Sequence, residues 1–369
     1  MPDEPAERRL VQVAWRGLRH GSVARLAAAN FTVQGLAFLG GVVAARVLGV
    51  EGRGELAAVV LWPLLLANIG TLGVDWALAV QAGRDPASEG RLTRLCGLYG
   101  LLGGPLVMLV GLVLVRFALP LGRADLISLA RVFLWIIPFY LVWIGATNID
   151  NGLQRYTRYN LTRVSFYVLY LMGYLACWAL GAGEIRYFVY AQLGAMVVAL
   201  LVRLAVARVA VLGDRLRRED VRATLRLARP FAISTAVSML LARIDVILVL
   251  FLLGTRELGL YVVAQAVANV PSLLSQAFGV RTFGTSAARG EAEFARVVVT
   301  RFRQSFLLSG SLAVGMAVLA PWLIVLLFGE RFGGAAPAAR VLFFASWLFN
   351  GGRIIDEGFR GQGRPLYGT

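Results

Sequence analysis

The sequence predicts an all-α integral membrane protein of about ten transmembrane helices, and three observations carry that prediction. Hydrophobic residues fill 58% of the 369 positions. They gather in blocks of roughly 20, the length that crosses a ~30 Å hydrocarbon core at about 1.5 Å per residue. Between the blocks the connections are short, and their basic residues alternate in number, heavy then light.

The blocks follow in order. Leu26–Leu48 comes after a polar, basic start without the short apolar stretch and small-residue cleavage site of a removable leader, so the first span is its own insertion signal. Leu56–Val80 follows across Gly49 and Gly54. Leu95–Val115 and Ile127–Ala146 come next, with Arg116, Arg123 and Arg131 crowding the link between them. Val164–Gly181 and Phe188–Val209 complete a first set of six. Phe231–Leu253, Leu258–Val280, Phe306–Phe328 and Ala338–Ile355 form a second set of four. The parts are a basic N-terminus (1–25), an N-lobe (26–211), a cytoplasmic linker (212–230) and a C-lobe (231–369).

All 37 basic residues are arginine. Twenty-seven fall on one set of flanks and nine on the other, with Arg243 inside a span. Short arginine-rich connections stay in the cytoplasm, so both termini are expected there and the chain in the inner membrane. The formal charge of +16 is spread over every inner connection. Topology and anionic lipid account for it, and nucleic acid is excluded as a partner. Cys96 and Cys177 lie in apolar helices, and His20 is an ordinary surface residue before the first span. Two cysteines and one histidine cannot build a zinc site. No GxxxxGK[ST] motif occurs, so ATP is not the direct driver and no cofactor is expected. The outer connections are too short to gather the acid and base residues of an enzyme.

The linker reads Asp214 to Pro230 and places Val221, Leu225 and Leu227 among arginines. It fits either a helix lying on the inner membrane surface or a solvated connector. The chain after it echoes the beginning. Leu48-Gly49 and Gly54 recur as Leu253-Gly254 and Gly259 at an interval of 205 residues. Gly73-Val74-Asp75 has a counterpart in Gly279-Val280-Arg281. Glycine suits a tight turn between antiparallel helices. Two units that both start in the cytoplasm make parallel repeats, and two such pseudo-symmetric lobes around a cavity make a transporter.

These residues carry a resemblance. Arg46-Val47-Leu48-Gly49 through Gly54, then Gly73-Val74-Asp75 and Ala77-Leu78, look like the first hairpin of the polysaccharide flippases of the multidrug/oligosaccharidyl-lipid/polysaccharide superfamily. Gly152-Leu153-Gln154-Arg155 resembles their link after the fourth span. Arg243-Ile244-Asp245, Leu253-Gly254 and Gly259-Leu260-Tyr261 resemble the seventh and eighth spans. Phe328-Gly329-Glu330-Arg331-Phe332 with Ala335-Ala336, and Gly361-Gln362-Gly363-Arg364-Pro365, resemble the ninth and tenth. The resemblance implies a MATE-like fold and export of a lipid-linked oligosaccharide for surface polysaccharide such as lipopolysaccharide. Its partners would be that cargo, membrane lipids, and the glycosyltransferases or polymerase of the same assembly. The family has twelve or more spans, so the second lobe is expected to lack its last hairpin here, or the sequence to be a fragment.

Ionisable groups inside a bilayer need a partner or a water-filled cavity. Arg243 is the deepest, about twelve residues into its span, with Asp245 two positions on. Under the resemblance Arg243 grips a diphosphate and Asp245 balances it or takes a proton; alternatively both lock the helix to its neighbours. Asp75 is expected to pair with an inner arginine such as Arg25, or to bind a coupling ion. Asn30, Gln34, Asn68 and Asn269, with Gln265 and Gln276, either line a glycan path or join helices. The aromatics near span ends, from Trp135 to Trp347, are expected mostly to anchor at the interface. Rival functions are a cation-coupled drug antiporter of the same superfamily, an integral membrane glycan polymerase and a non-transporting scaffold.

Overall fold

A computed structural model describes residues 20–119, 123–207, 216–271 and 291–361; side chains at 20–27, 118, 207, 291–298, 301 and 350–361 are not described. Gln276, Gly279-Val280-Arg281, the chain end from Gln362 and the side chain of Arg25 therefore lie outside the described residues. Among the described residues every element is helical.

Helix α1 (His20–Ile69) is interrupted at Gly49, whose φ of 69° and ψ of −172° are open only to glycine. It gives way at Leu72 and Gly73, both at positive φ, to α2 (Val74–Arg84). After a short 3₁₀ turn come α3 (Glu89–Ala118), α4 (Ala124–Phe133), α5 (Ile136–Gly152), α6 (Tyr156–Ala179) and α7 (Ile185–Ala207). The fourth expected span is thus two helices, α4 and α5, and Pro138 falls in the first turn of α5, where its missing N–H costs nothing. Helix α5 ends on a left-handed Gln154 (φ 57°), with the Arg155 N–H returning to the Asp150 carbonyl at 2.9 Å. Helix α6 ends the same way at Gly181 (φ 67°), where the Ala182 N–H donates to the Cys177 carbonyl at 2.8 Å.

The seventh expected span is not one helix. It is α8 (Arg218–Leu241) and α9 (Ile244–Leu253), bent by 42° with Arg243 at the break. Arg243 has φ −129° and ψ 0° and stands at the N-cap position of α9, with Asp245 in the first turn. Arg243 thus lies outside either helix. A carboxylate in the first turn is favoured by the helix dipole. Then follow α10 (Thr255–Ala268), α11 (Glu291–Phe328), a 3₁₀ segment and α12 (Ala336–Gly361).

Six stretches among the described residues are long and apolar enough to cross a membrane, or seven with the bent α8–α9 pair. The expected ten divide differently for three reasons. Ala28–Ile69 holds two crossings either side of Gly49 in one stretch. Helix α6 is diluted by Arg158, Asn160, Arg163 and its tyrosines. Helix α10 runs into residues outside the described set.

Contacts divide the chain into two compact units, Thr32–Gly259 and Leu260–Thr369 with Met1–Phe31. In the first, α2 and α5 cross on small residues: a Cβ at Gly152 would overlap the Ala79 carbonyl, and one at Gly83 would come 3.1 Å from the Gly152 carbonyl. Close approach of this kind is how helices associate where the surrounding lipid is as apolar as the side chains. In the second, α11 and α12 pair through Trp347, which lies over Gly310 and donates from Nε1 to the Phe306 carbonyl at 2.8 Å.

Candidate functional site

Within Thr32–Gly259, the side chains that could meet a polar cargo are organised by α6. Tyr159, Arg163, Tyr167, Tyr170 and Tyr174 recur at intervals of three and four, so they share one face. The rings form a continuous chain. Tyr140 meets Trp143 at 6.0 Å between centroids, Trp143 meets Phe166 at 5.8 Å, and Phe166 meets Tyr167 at 5.1 Å and Tyr170 at 6.3 Å. Tyr170 meets Tyr174 at 4.3 Å, and Tyr174 meets Phe188 at 4.7 Å. Tyr170 also packs against Gly40 of α1, where a Cβ would overlap its ring.

Guanidinium groups accompany this chain along its length. Arg163 lies 5.1 Å from the Tyr159 centroid. Arg243 is within electrostatic range of Tyr167, and Arg53 is within range of Tyr170 and Tyr174. Arg53, in the part of α1 after Gly49, turns back on the part before it, its Nη2 lying 3.9 Å from where a Cβ on Gly41 would be. The arrangement offers flat apolar faces for sugar rings beside donor forks suited to phosphate oxygens.

Of the residues singled out from sequence, Asn68 joins this system directly. Its Nδ2 donates to the Leu64 carbonyl at 2.7 Å and its Oδ1 accepts the Tyr140 hydroxyl at 2.9 Å. Gln34 is half-buried on α1. Asn30 and Asn269 belong to the other unit, Asn269 just past the end of α10. Asp75 is buried in the first turn of α2, and its Oδ2 accepts from Asn148 Nδ2 at 2.9 Å. Asn148 is thus a partner of Asp75 that sequence reading did not offer. Trp135, Trp178 and Trp322 are exposed, as interfacial anchors should be, whereas Tyr174 is only 2% exposed and belongs to the interior.

A second polar cluster lies at the arginine-rich end of the same unit. Asp150, wholly buried, meets Arg203 Nε at 3.0 Å and Arg158 Nε at 3.6 Å. Arg203 also donates from Nη2 to the Ala146 carbonyl at 2.8 Å. Glu89 meets Arg155 at 2.6 Å and Arg158 at 3.7 Å. These charges tie together α3, α5, α6 and α7. Arg203 lies inside α7 with a side chain 1% exposed.

At the opposite end the two glycine-marked turns meet. Gly254 has φ 88° and ψ −175°, nearly the conformation of Gly49. A Cβ on Gly54 would overlap the Thr255 carbonyl and come 2.7 Å from the Gly259 nitrogen. A Cβ on Gly259 would overlap the Val50 carbonyl and come 3.1 Å from the Gly54 nitrogen. The repeat read from sequence is therefore a contact in which each copy's second glycine seats against the other copy.

Residues 21–282 match the family described as polysaccharide biosynthesis protein. The chain belongs to this family. Among curated proteins none matches it. Among solved structures, the inward-facing form of a multidrug resistance MATE family transporter of the MOP superfamily is similar at 17% identity and a TM-score of 0.71, over 93% of this chain and 86% of that one. The outward-facing form is similar at 21% and 0.65, over 94% and 83%. A MOP superfamily transporter from Pyrococcus furiosus, described as having a binding pocket of reverse polarity that suggests a different function, is similar at 19% and 0.67, over 94% and 83%. Identities this low carry the fold, so this polysaccharide biosynthesis family protein is an all-α, multi-pass membrane protein of the MATE-like, two-lobed class.

Proposed function

We propose that the protein moves a polyprenyl-diphosphate-linked oligosaccharide from the cytoplasmic to the outer leaflet of the inner membrane by alternating access, with both termini cytoplasmic. The observation that carries this reading is the α6 stripe, where tyrosine rings share one helix face with Arg163 and lie within electrostatic range of Arg243 and Arg53. Rings at Tyr167 and Tyr170 stack the sugars, and Arg243 holds the diphosphate at the break between α8 and α9. Interrupted helices are a recurring way to place charged groups at the middle of a transport path. Asn68 with Tyr140 and Gln34 supplies hydrogen bonds to the glycan, and Asp245 balances Arg243. The seated glycines of the two turns support an outer gate that closes while the arginine-rich end is open.

Flipping of a labelled lipid-linked glycan in proteoliposomes tests the proposal. Replacing Arg243 by Ala is expected to abolish flipping while leaving expression and gel-filtration behaviour intact. Flipping at the unsubstituted rate would refute the phosphate clamp.

A second reading, cation-coupled export of a small molecule, has one observation in its favour. Asp75 is a buried carboxylate whose Oδ1 has no hydrogen-bond partner among the described residues. Efflux of a cationic dye under a sodium or pH gradient, lost in Asp75→Asn, would favour it. If instead glycan flipping persists and only its gradient dependence is lost, Asp75 is the coupling site of the flippase.

A further inference from the structure

We infer that the groove between α3 and the N-terminal half of α8 binds an anionic phospholipid of the surrounding bilayer, with an acyl chain in the groove and its phosphate at Arg217, Arg218 and Arg222. The groove has a volume of about 280 Å³ and is walled by Leu95, Leu98 and Leu102 on one side and Val221 and Leu225 on the other. Its two polar side chains are already satisfied within the protein. The Tyr99 hydroxyl donates to the Gly70 carbonyl at 2.6 Å. The Thr224 hydroxyl donates to the Asp220 carbonyl at 2.8 Å and accepts from Gln81 Nε2 at 2.7 Å. A polar occupant would find nothing to bond, whereas a hydrocarbon chain loses nothing.

The groove continues into an apolar surface. Leu101, Leu102 and Leu106 on α3 are each about two-thirds exposed (68%, 67% and 65%), as residues facing lipid should be. From Leu95 to Leu106 this wall runs about 17 Å along the helix. At its other end the charge is positive. Arg91 bridges Asp85 at 3.2 Å and Asp220 at 3.1 Å, which uses both carboxylates. Arg217, Arg218 and Arg222 are exposed and form no ion pair among the described residues. An apolar trough ending in three exposed guanidinium groups, with Glu219 as the carboxylate among them that Arg91 does not use, keeps a net positive charge and is complementary to an anionic lipid. Basic residues at a membrane surface contribute roughly 1 kcal/mol each toward such lipids, about fivefold in affinity. This inference concerns the outside of the helices and stands whatever the cargo is.

The test is native mass spectrometry of the purified full chain titrated with phosphatidylglycerol, phosphatidylcholine or polyprenyl phosphate. The protein is expected to retain phosphatidylglycerol over phosphatidylcholine. The Arg217→Gln/Arg218→Gln/Arg222→Gln variant is expected to lose that preference by at least tenfold, with Arg256→Gln as an unaffected control. Leu98→Trp/Leu225→Trp, which fills the groove and keeps the charges, is expected to lose it too; gel filtration and thermal unfolding confirm that each variant is folded. A preference that survives either variant overturns the inference. If only the charge variant loses it, adsorption is diffuse and the groove is not a site. Polyprenyl phosphate displacing phosphatidylglycerol would assign the groove to the cargo's tail and also overturn it.

Discussion

Arg203 and Asp150 show what a buried charge costs and how this protein meets the cost. Two guanidinium groups, Arg203 and Arg158, approach one carboxylate from opposite oxygens, and the Ala146 carbonyl takes a further Arg203 N–H. Removing one member of such a cluster leaves the others charged in a medium that cannot solvate them, a loss of about 3–5 kcal/mol. Arg203→Ala is therefore expected to lower the thermal midpoint strongly, and Arg203→Met/Asp150→Leu to recover most of the loss; equal destabilisation by both would show that the pairing is not the source. Arg203 was not legible in the sequence because its flanking residues look like those of any arginine near a span end. Its partner Asp150 is distant in the chain, and only packing brings them together. Asp75 was legible as a buried carboxylate, but Asn148 as its partner was not, for the same reason.

At the level of elements, the glycine-marked turns are the clearest case of sequence specifying geometry. Gly49 and Gly254 hold a backbone conformation that other residues avoid, and Gly54 and Gly259 let two main chains touch. The interval of 205 residues marks the correspondence in the sequence itself. Gly54→Val or Gly259→Val cannot seat without moving a carbonyl. Each is expected to block glycan flipping and to raise the labelling rate of a cysteine introduced at Thr255. Cys96 and Cys177 are buried and give little background. Unchanged flipping and labelling would mean that the contact is incidental. The break at Arg243 was hidden, since neither proline nor glycine marks it. The aromatic chain was hidden: the α6 tyrosines read as interfacial anchors, and their contacts with Gly40 and Phe188 depend on α1 and α7.

For the whole molecule, fold class followed from block length and arginine distribution, quantities that need no tertiary information. They need none because a bilayer enforces helices of one length and sorts charge by side. The number of crossings was harder to fix, because α1 merges two and α6 carries more polar residues than a lipid-facing helix. Reporter fusions after Arg218 and after Arg123 are expected to report opposite sides, with Arg218 inside. The same side for both would invalidate the topology and the transport reading built on it.

The bend between α8 and α9 has a mechanical meaning. Arg91–Asp220 and Gln81–Thr224 fasten the first half of α8 to α2 and α3. Helix α9, ten residues long and so about 15 Å, lies beyond the break, with the Gly254 turn at its far end. One arm is bolted down and the other is short, with Arg243 at the fulcrum. A small tilt about that pivot would swing the Gly259 end away from Gly54, so whatever grips Arg243 would be pushing on the lever that opens the far door.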